Sequence, residues 1–496
     1  MNKKVNSKDW FLWEQIARPM WNRVYHDLAF TNTRDYLGFT YVPATLMVYE
    51  QNDSGDYIGK MFIRHCDIQA VGQKKIDILM CPKYRAEFDN EIAASEKALL
   101  DYAEKIFYGI YTLEQALDCF YDFQKVMGKY YKHAWFYAVT PYRAETLLLN
   151  YIKDKADLSA LLTTDEPSFE HDILTSLRDC CAGKVTSEQH SKKYHWCKNN
   201  YFETRFFSPQ DVAKEISEHD YEYYDNLIKT SDKSRAELLK RKAKVLSALP
   251  TYYQKLVDIT NVYATKLMDD RKRVIMTCQS SIDKLFEVVA KETNTPLSDL
   301  HLLLPQELRY FTKNTKSYRQ RIEERKKLFI VLQHEFPILD ELIEPMGKIP
   351  FMSDPYIAEG DQAIKALENI NQRMNIFDSS GSQNNTLQGM VTYSDKDELI
   401  GIVRVIRNSN NMQISNGEIL VATSTTPDYL TAMHKSSAII TDYGGLTSHA
   451  AIVSRELKKP CIIGTNSATS VLKTGQRIRM NFVDGTITIL QSEVSK

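Results

Sequence analysis

The sequence predicts a multidomain α+β fold, with a largely helical N-terminal region that carries a small β portion, followed by a compact C-terminal β/β/α domain. Three observations predict it. From about Glu87 to Lys327, apolar residues recur at helical spacing with few breakers. Strand-like runs are confined to residues 38–80, to Lys327–Met352 and to the C-terminal segment. The 18 glycines among 496 residues are few, which favours long helices over a repeated α/β scaffold.

At the N-terminus, Trp10, Trp13, Trp21 and Tyr25 are spaced as the packed face of a helix rather than as a ligand pocket. Phe39-Thr-Tyr-Val and Thr45-Leu-Met-Val-Tyr read as strands, and the turn Asn52-Asp-Ser-Gly-Asp before Tyr57-Ile-Gly-Lys-Met-Phe-Ile makes a β-hairpin. In the helical region, Lys229 to Asn294 is interrupted mainly by Pro250 and predicts two long helices packed as a hairpin. Arg321, Arg325, Lys326 and Lys327 form a basic run, read as a solvated helix face in preference to a phosphate-steering patch. Lys327–Leu332 and Ile349-Pro-Phe-Met read as strands and Asp361–Met374 as a closing helix. Phe377 to Thr386 is small and polar, the composition of a flexible linker. The expected division is an acceptor-binding region at 1–378, a linker and swivel at 379–386, and a C-terminal domain at 387–496.

In that domain Ser436-Ser-Ala-Ile-Ile-Thr441 reads as a strand, Gly444 and Gly445 as its turn, and Ala450 to Leu457 as a short helix. His449 stands where turn meets helix. The unpaired N–H groups of a first helical turn favour an anion there, and a neutral imidazole is a nucleophile near pH 7 that passes a phosphoryl group on readily. Thr447 and Ser448 place hydroxyls beside it, and Arg455 is positioned to offer a guanidinium to phosphate.

The stretch Asn416–Leu490 resembles the swivelling phosphohistidine (mobile) domain of the phosphoenolpyruvate-utilising enzyme family, which includes phosphoenolpyruvate synthase, pyruvate phosphate dikinase and rifampicin phosphotransferase. The resemblance runs through Gly417-Glu-Ile-Leu-Val421, Thr425-Thr-Pro-Asp428, Gly444-Gly445, Thr447-Ser-His-Ala-Ala-Ile-Val453, Arg455-Glu-Leu457, Gly464-Thr465 and Asp484-Gly485. It implies that His449 takes a phosphoryl group from ATP bound in a separate ATP-grasp domain, swings, and delivers it to a second site. Gly444, Gly445, Thr447, Ser448 and Arg455 then surround the phosphate, AMP and inorganic phosphate are co-products, and Mg²⁺ accompanies ATP. A pyruvate-binding barrel needs about 250 residues and is not expected after Lys496. The first 380 residues carry no recognisable ATP-grasp pattern, so the nucleotide is expected on a partner chain. A self-sufficient kinase with a diverged ATP site, and a non-catalytic docking or regulatory module, are the alternatives.

The charge of 63 basic against 64 acidic residues offers no global field for nucleic acid or membrane. No apolar run approaches the roughly 20 residues of a membrane span, the N-terminus lacks a signal-peptide core, and a cytoplasmic protein is expected. The eight cysteines show no C-x-x-C spacing, so reduced thiols are expected and no metal site. Outside the C-terminal domain, Glu188 to Tyr201 gathers His190, His195 and Trp196 with lysines and amides. Packing of a helix end is the simpler reading of this segment. In the alternative, the three line a pocket for the small-molecule acceptor, with a histidine as general base for its hydroxyl.

Overall fold

The computed structural model describes residues 10–15, 45–51, 57–199, 204–333, 347–348, 355–374, 386–407 and 413–490. The fold is multidomain α+β. Its contacts group into two compact units: residues 1–139, 201–204 and 274–379 in the first, and 140–200, 205–273 and 380–496 in the second. The cut after Ser379 falls in the linker predicted at 379–386, of which only Thr386 is among the described residues, as the first residue of a strand. The second unit is larger than a 387–496 domain, because two helical segments join it.

The first unit holds a six-stranded sheet in the order β1-β3-β2-β4-β6-β5, with β1 Trp10–Gln15, β2 Thr45–Gln51, β3 Tyr57–Arg64, β4 Phe329–Gln333, β5 Gly347–Lys348 and β6 Pro355–Glu359. Every neighbouring pair is antiparallel. The predicted hairpin is β2–β3. The Trp10 segment, expected as a helix face, is instead an edge strand paired along β3 with a bulge between Leu12 and Glu14, since tertiary pairing overrides a helical reading of aromatic spacing. Trp21, Tyr25, Phe39–Val42 and Ile349–Met352 lie outside the described residues. Helices Thr315–Lys327 and Gly360–Met374 pack on the sheet.

The basic run of the first of these helices is a solvated face only in part: Lys327 is exposed, whereas its arginines turn inward. Arg325 is 0% exposed, its guanidinium held by both Glu307 oxygens at 2.6 and 2.7 Å, by Glu359 and by the Leu302 carbonyl. Arg321 pairs with the same two glutamates. Removing one partner of such a network leaves buried charge uncompensated, a loss of about 3–5 kcal/mol. Arg325→Met is therefore expected to lower the unfolding free energy of the first unit by about that amount, measured by urea denaturation, while Lys327→Met, at an exposed pair with Glu324, should change it little.

The second unit is built on an eight-stranded mixed sheet, order β7-β14-β13-β9-β10-β11-β12-β8. Its strands are β7 Thr386–Gln388, β8 Met390–Tyr393, β9 Glu398–Ile406, β10 Ile419–Ala422, β11 Ala438–Thr441, β12 Cys461–Ile463, β13 Arg477–Asn481 and β14 Thr486–Ile489. Strands β9 to β12 run parallel. β10, β11 and β12 are buried along their whole length, as continuous apolar runs in a parallel sheet covered on both faces require. The period of two divides them. Leu420, Ile439 and Cys461 face the helix His449–Glu456, whereas Ile419, Val421 and Ile440 face Ala468, Leu472 and β13.

Around this core the helices Lys155–Leu161, Phe169–Cys181 and Tyr221–Ser247 pack on one another, and the last also packs on His449–Glu456. Helix Tyr221–Ser247 does end just before Pro250, and Thr251–Ile259 continues through a π-helical stretch into Leu267–Thr293. The expected hairpin is corrected, however: the main contacts of Tyr221–Ser247 are with Lys155–Leu161, Phe169–Cys181 and His449–Glu456, on a face that buries Tyr224, Ile228, Ser231, Ser234 and Lys242. Among the described residues no helix is long and apolar enough to cross a membrane.

Candidate functional site

The chain leaves β11 at Thr441 and is tied down at once. Asp442 and Tyr443 donate their amides to the Ala422 and Thr423 carbonyls at 3.1 and 3.0 Å, prolonging the parallel ladder. The Asp442 carboxylate accepts from the Thr469 amide at 3.0 Å and from the hydroxyls of Thr465 and Thr469. Gly444 then turns the chain with φ +134°, where a Cβ would lie 2.8 Å from Ser448 Oγ, so only glycine fits. Ser448 is the cap of the helix His449–Glu456, its Oγ accepting from the Ala451 amide at 3.4 Å. From two turns along, Arg455 Nη1 donates to the Leu446 carbonyl at 2.8 Å, which fixes the loop from beneath. Burial brings the Arg455 pKa down to about 10, and the guanidinium stays charged at neutral pH.

His449 is thereby presented as the first residue of its helix, and both ring nitrogens are engaged. Nδ1 lies 2.7 Å from Thr425 Oγ1, and Nε2 lies 2.5 Å from Glu170 Oε1. Glu170 comes from the first turn of helix Phe169–Cys181. A second carboxylate, Glu145, takes the Thr447 amide at 3.0 Å and the Thr447 hydroxyl at 2.8 Å. Gly445 leaves room for it, since a Cβ there would come within 2.7 Å of Glu145 Oε2.

The electrostatics of this buried group fix its protons. Burial pushes the Glu170 carboxyl up, but the His449 ring and Lys272 pull it further down, to a net position below the usual carboxylate value. Burial and Lys272 hold the His449 imidazole below its ordinary value against the pull of Glu170. The lowered imidazole favours its neutral form at pH 7, beside a carboxylate that accepts. From these partners the single ring proton is assigned to Nε2, donating to Glu170, with the Thr425 hydroxyl donating to Nδ1. Burial raises the Glu145 carboxyl, opposed by the Thr447 hydroxyl, the Leu446 and Thr447 amides and Arg455.

Gly444, Gly445, Thr447, Ser448, His449 and Arg455 thus fall together in one turn and helix start, as their spacing implies. In this arrangement Thr447 serves Glu145, Ser448 caps the helix and Arg455 braces the loop. The other predicted group is divided. Trp196 lines a cavity of roughly 290 Å³ together with Phe169, Tyr194, Lys193, Arg273 and, from the His449 helix, Ile452. His190 and His195 do not line it. His190 is 0% exposed with Nδ1 2.8 Å from Ser176 Oγ, and burial, helped by Lys198 and Lys193, brings its pKa down to about 4. Burial does the same to His195. Glu145, Glu170 and Lys272 were not legible as site residues, for each is one charged side chain among many. Thr425 stood inside a quoted motif with no role attached.

The low pKa of His190 has a sign. A histidine held neutral in the folded state and free to protonate when unfolded contributes stability above its ordinary value near 6.5, which is lost as pH falls toward 4, by about 3 kcal/mol for a shift of this size. Urea unfolding of the wild type and His190→Asn at pH 7 and pH 4.5 is expected to show a smaller acid loss in the variant.

Comparison with known proteins bears on the C-terminal part. Residues 414–485 match the family model of the PEP-utilising enzyme mobile domain. Phosphoenolpyruvate synthase of Pyrococcus furiosus is 52% identical over 87 residues, 17% of this chain and 10% of that protein. A probable phosphoenolpyruvate synthase of Methanothermobacter thermautotrophicus is 51% identical over 82 residues, 16% of this chain and 12% of that protein. The chain spans about a tenth of the length of these curated relatives. Among solved structures, holo aconitase X of Thermococcus kodakaraensis aligns at TM-score 0.17 and 20% identity, covering 21% of this chain and 98% of its own. An Enzyme I (nEIt) solution structure aligns at TM-score 0.18 and 12% identity, covering 66% of this chain and 82% of its own. Likenesses at these scores carry no argument.

Proposed function

We propose, from the premise that residues 414–485 are a mobile domain of the phosphoenolpyruvate-utilising enzyme family, that the protein is a phosphotransferase component whose His449 carries a phosphoryl group on Nε2 from ATP to a small-molecule acceptor. The observation that carries the reading is the ring itself: an imidazole at a helix start, held by Thr425 at Nδ1 and meeting only the Glu170 carboxylate at Nε2, the nitrogen that exchanges its partner in the proposed chemistry. In loading, the Nε2 proton passes by way of Glu170 to the medium, which frees the nitrogen's lone pair, and the Nε2–P bond forms as the donor's P–O bond breaks with its electron pair leaving on the donor's oxygen. Nδ1 keeps its bond to the Thr425 hydroxyl, which holds the ring in one orientation through the cycle.

The cavity beside Phe169, Tyr194 and Trp196 is the proposed acceptor site. Its aromatic walls suit a flat apolar body, and Lys193 and Arg273 suit an anionic or phosphorylated group. The donor is ATP with Mg²⁺, which neutralises charge on the transferring phosphoryl group. Among the described residues no group of three His, Cys, Asp or Glu side chains is arranged to hold a metal ion. The proposed holder of Mg²⁺–ATP is an ATP-grasp partner chain, and no step in this chain runs through it. Association with that partner should be weak, because a carrier must leave the donor on every cycle.

The expected outcome is an acid-labile, base-stable phosphoryl adduct on the wild type that is absent from His449→Ala, read by intact mass before and after acid treatment. With β- and γ-labelled ATP, β-label should reach His449 only when an ATP-grasp protein is added. An adduct that persists in the variant removes His449 from the mechanism, and label acquired by the chain alone removes the partner.

A further inference from the structure

We infer that Glu170 is the proton relay of the transfer step: it takes the proton of the acceptor's hydroxyl as that oxygen attacks phosphorus, and passes it to His449 Nε2 as the N–P bond breaks. The inference rests on the phosphohistidine reading of His449 and adds a second reacting residue to it.

Geometry carries it in three parts. Glu170 Oε1 is 2.5 Å from Nε2, with side chains only 3% and 2% exposed, so the carboxylate is in direct proton contact with the nitrogen that would bear the phosphoryl group. Its other oxygen, Oε2, is buried and finds no hydrogen-bond partner among the described residues. An orphaned carboxylate oxygen is costly to bury, and in a native site it calls for a donor that arrives with a ligand. Glu170 is also flanked in its own helix by residues of the cavity wall, Phe169 before it and Asp172 after it, while Ile452 of the His449 helix lines the same cavity. The two elements that bear the proton contact thus both border the proposed acceptor cleft.

The neighbouring bases are spoken for. Glu145 Oε1 holds Thr447, Glu456 Oε2 accepts from Ser168 Oγ at 2.8 Å, and Asp172, which lines the cavity, makes no hydrogen bond to the His449 ring, whose partners among the described residues are Glu170 and Thr425. The step balances. The acceptor O–P bond forms, the Nε2–P bond breaks with its electron pair returning to nitrogen, and the hydroxyl proton moves through Glu170 to Nε2. The result is a neutral ring with Nε2–H donating to the Glu170 carboxylate, the state assigned above from the ring's partners.

The test needs neither partner nor acceptor. Phosphoramidate, a small phosphoryl donor, loads the full-length chain, and loss of the adduct to water is followed by ³¹P NMR in H₂O and in D₂O. Wild type and Glu170→Gln should both load at His449. The variant is expected to lose phosphate at least about 100-fold more slowly, the lower end of what a positioned general base supplies, and the slowing in D₂O seen in the wild type should vanish. That isotope effect separates a proton relay from a structural or purely electrostatic role. Glu170→Asp, with its carboxylate one methylene further back, should show a reduced rate with the isotope effect retained, and it decides the matter if E170Q does not fold. Equal rates, or an isotope effect that persists in E170Q, overturn the relay while leaving the carrier role of His449 intact. Failure of the wild type to load at His449 overturns the carrier role, and the relay falls with it.

Discussion

A carboxylate and an imidazole, both withdrawn from water and 2.5 Å apart, organise the second unit. The carboxylate does not tolerate burial alone, since an isolated one in an apolar interior shifts its pKa or breaks the fold open. The imidazole is therefore what lets Glu170 stay buried. Glu145 repeats the arrangement one step away by taking both donors of Thr447. Residues 140–200 group with the sheet domain for this reason: two of their glutamates end on the Gly-rich turn and the helix start. Further ties run the same way, from Ser168 to Glu456 and from Ser234 Oγ to the Arg455 carbonyl at 3.0 Å.

The same constraint shapes the chemistry. A phosphoryl group brings nearly two negative charges and acceptor oxygens, whereas the Glu170 contact needs an N–H donor at Nε2. On the proposed reading the observed contact belongs to the unloaded ring. Loading would remove the proton on which the Glu170 bond depends and set like charges against each other, which makes the proposed carriage of phosphate and the buried pair alternative uses of one nitrogen. Three bonds do not depend on Nε2: Thr425 on Nδ1, the Ser448 cap, and Arg455 on the loop carbonyl.

Much of this was legible where the physics is local. A parallel strand buried on both faces is largely apolar, and Ala438 to Ile440 show it. A turn with φ +134° needs glycine, which marks Gly444, and a helix start needs a capping hydroxyl, which marks Ser448. The position of His449 follows from those neighbours alone. The basic run at Arg321–Lys327 was misread for the opposite reason. Whether an arginine faces water or two glutamates depends on Glu307 and Glu359, and nothing in the run itself says that they meet it.

The division of the chain shows the same limit on a larger scale. No breaker marks the boundary at 273/274, and Pro141 beside the one at 139/140 does not end its helix; both fall inside continuous helices, Leu267–Thr293 and Leu113–Tyr151. Helical periodicity reports which face of a segment is apolar, not which core that face joins. The sequence by itself determined the α+β class, the turn that presents His449 and the helix that it starts, since each depends on residues within a few positions of one another. Only the tertiary structure decided that Glu170 and Glu145, some 300 residues away along the chain, meet that turn. Contact across such a separation is selected by the summed burial of whole faces, and no single side chain carries its trace.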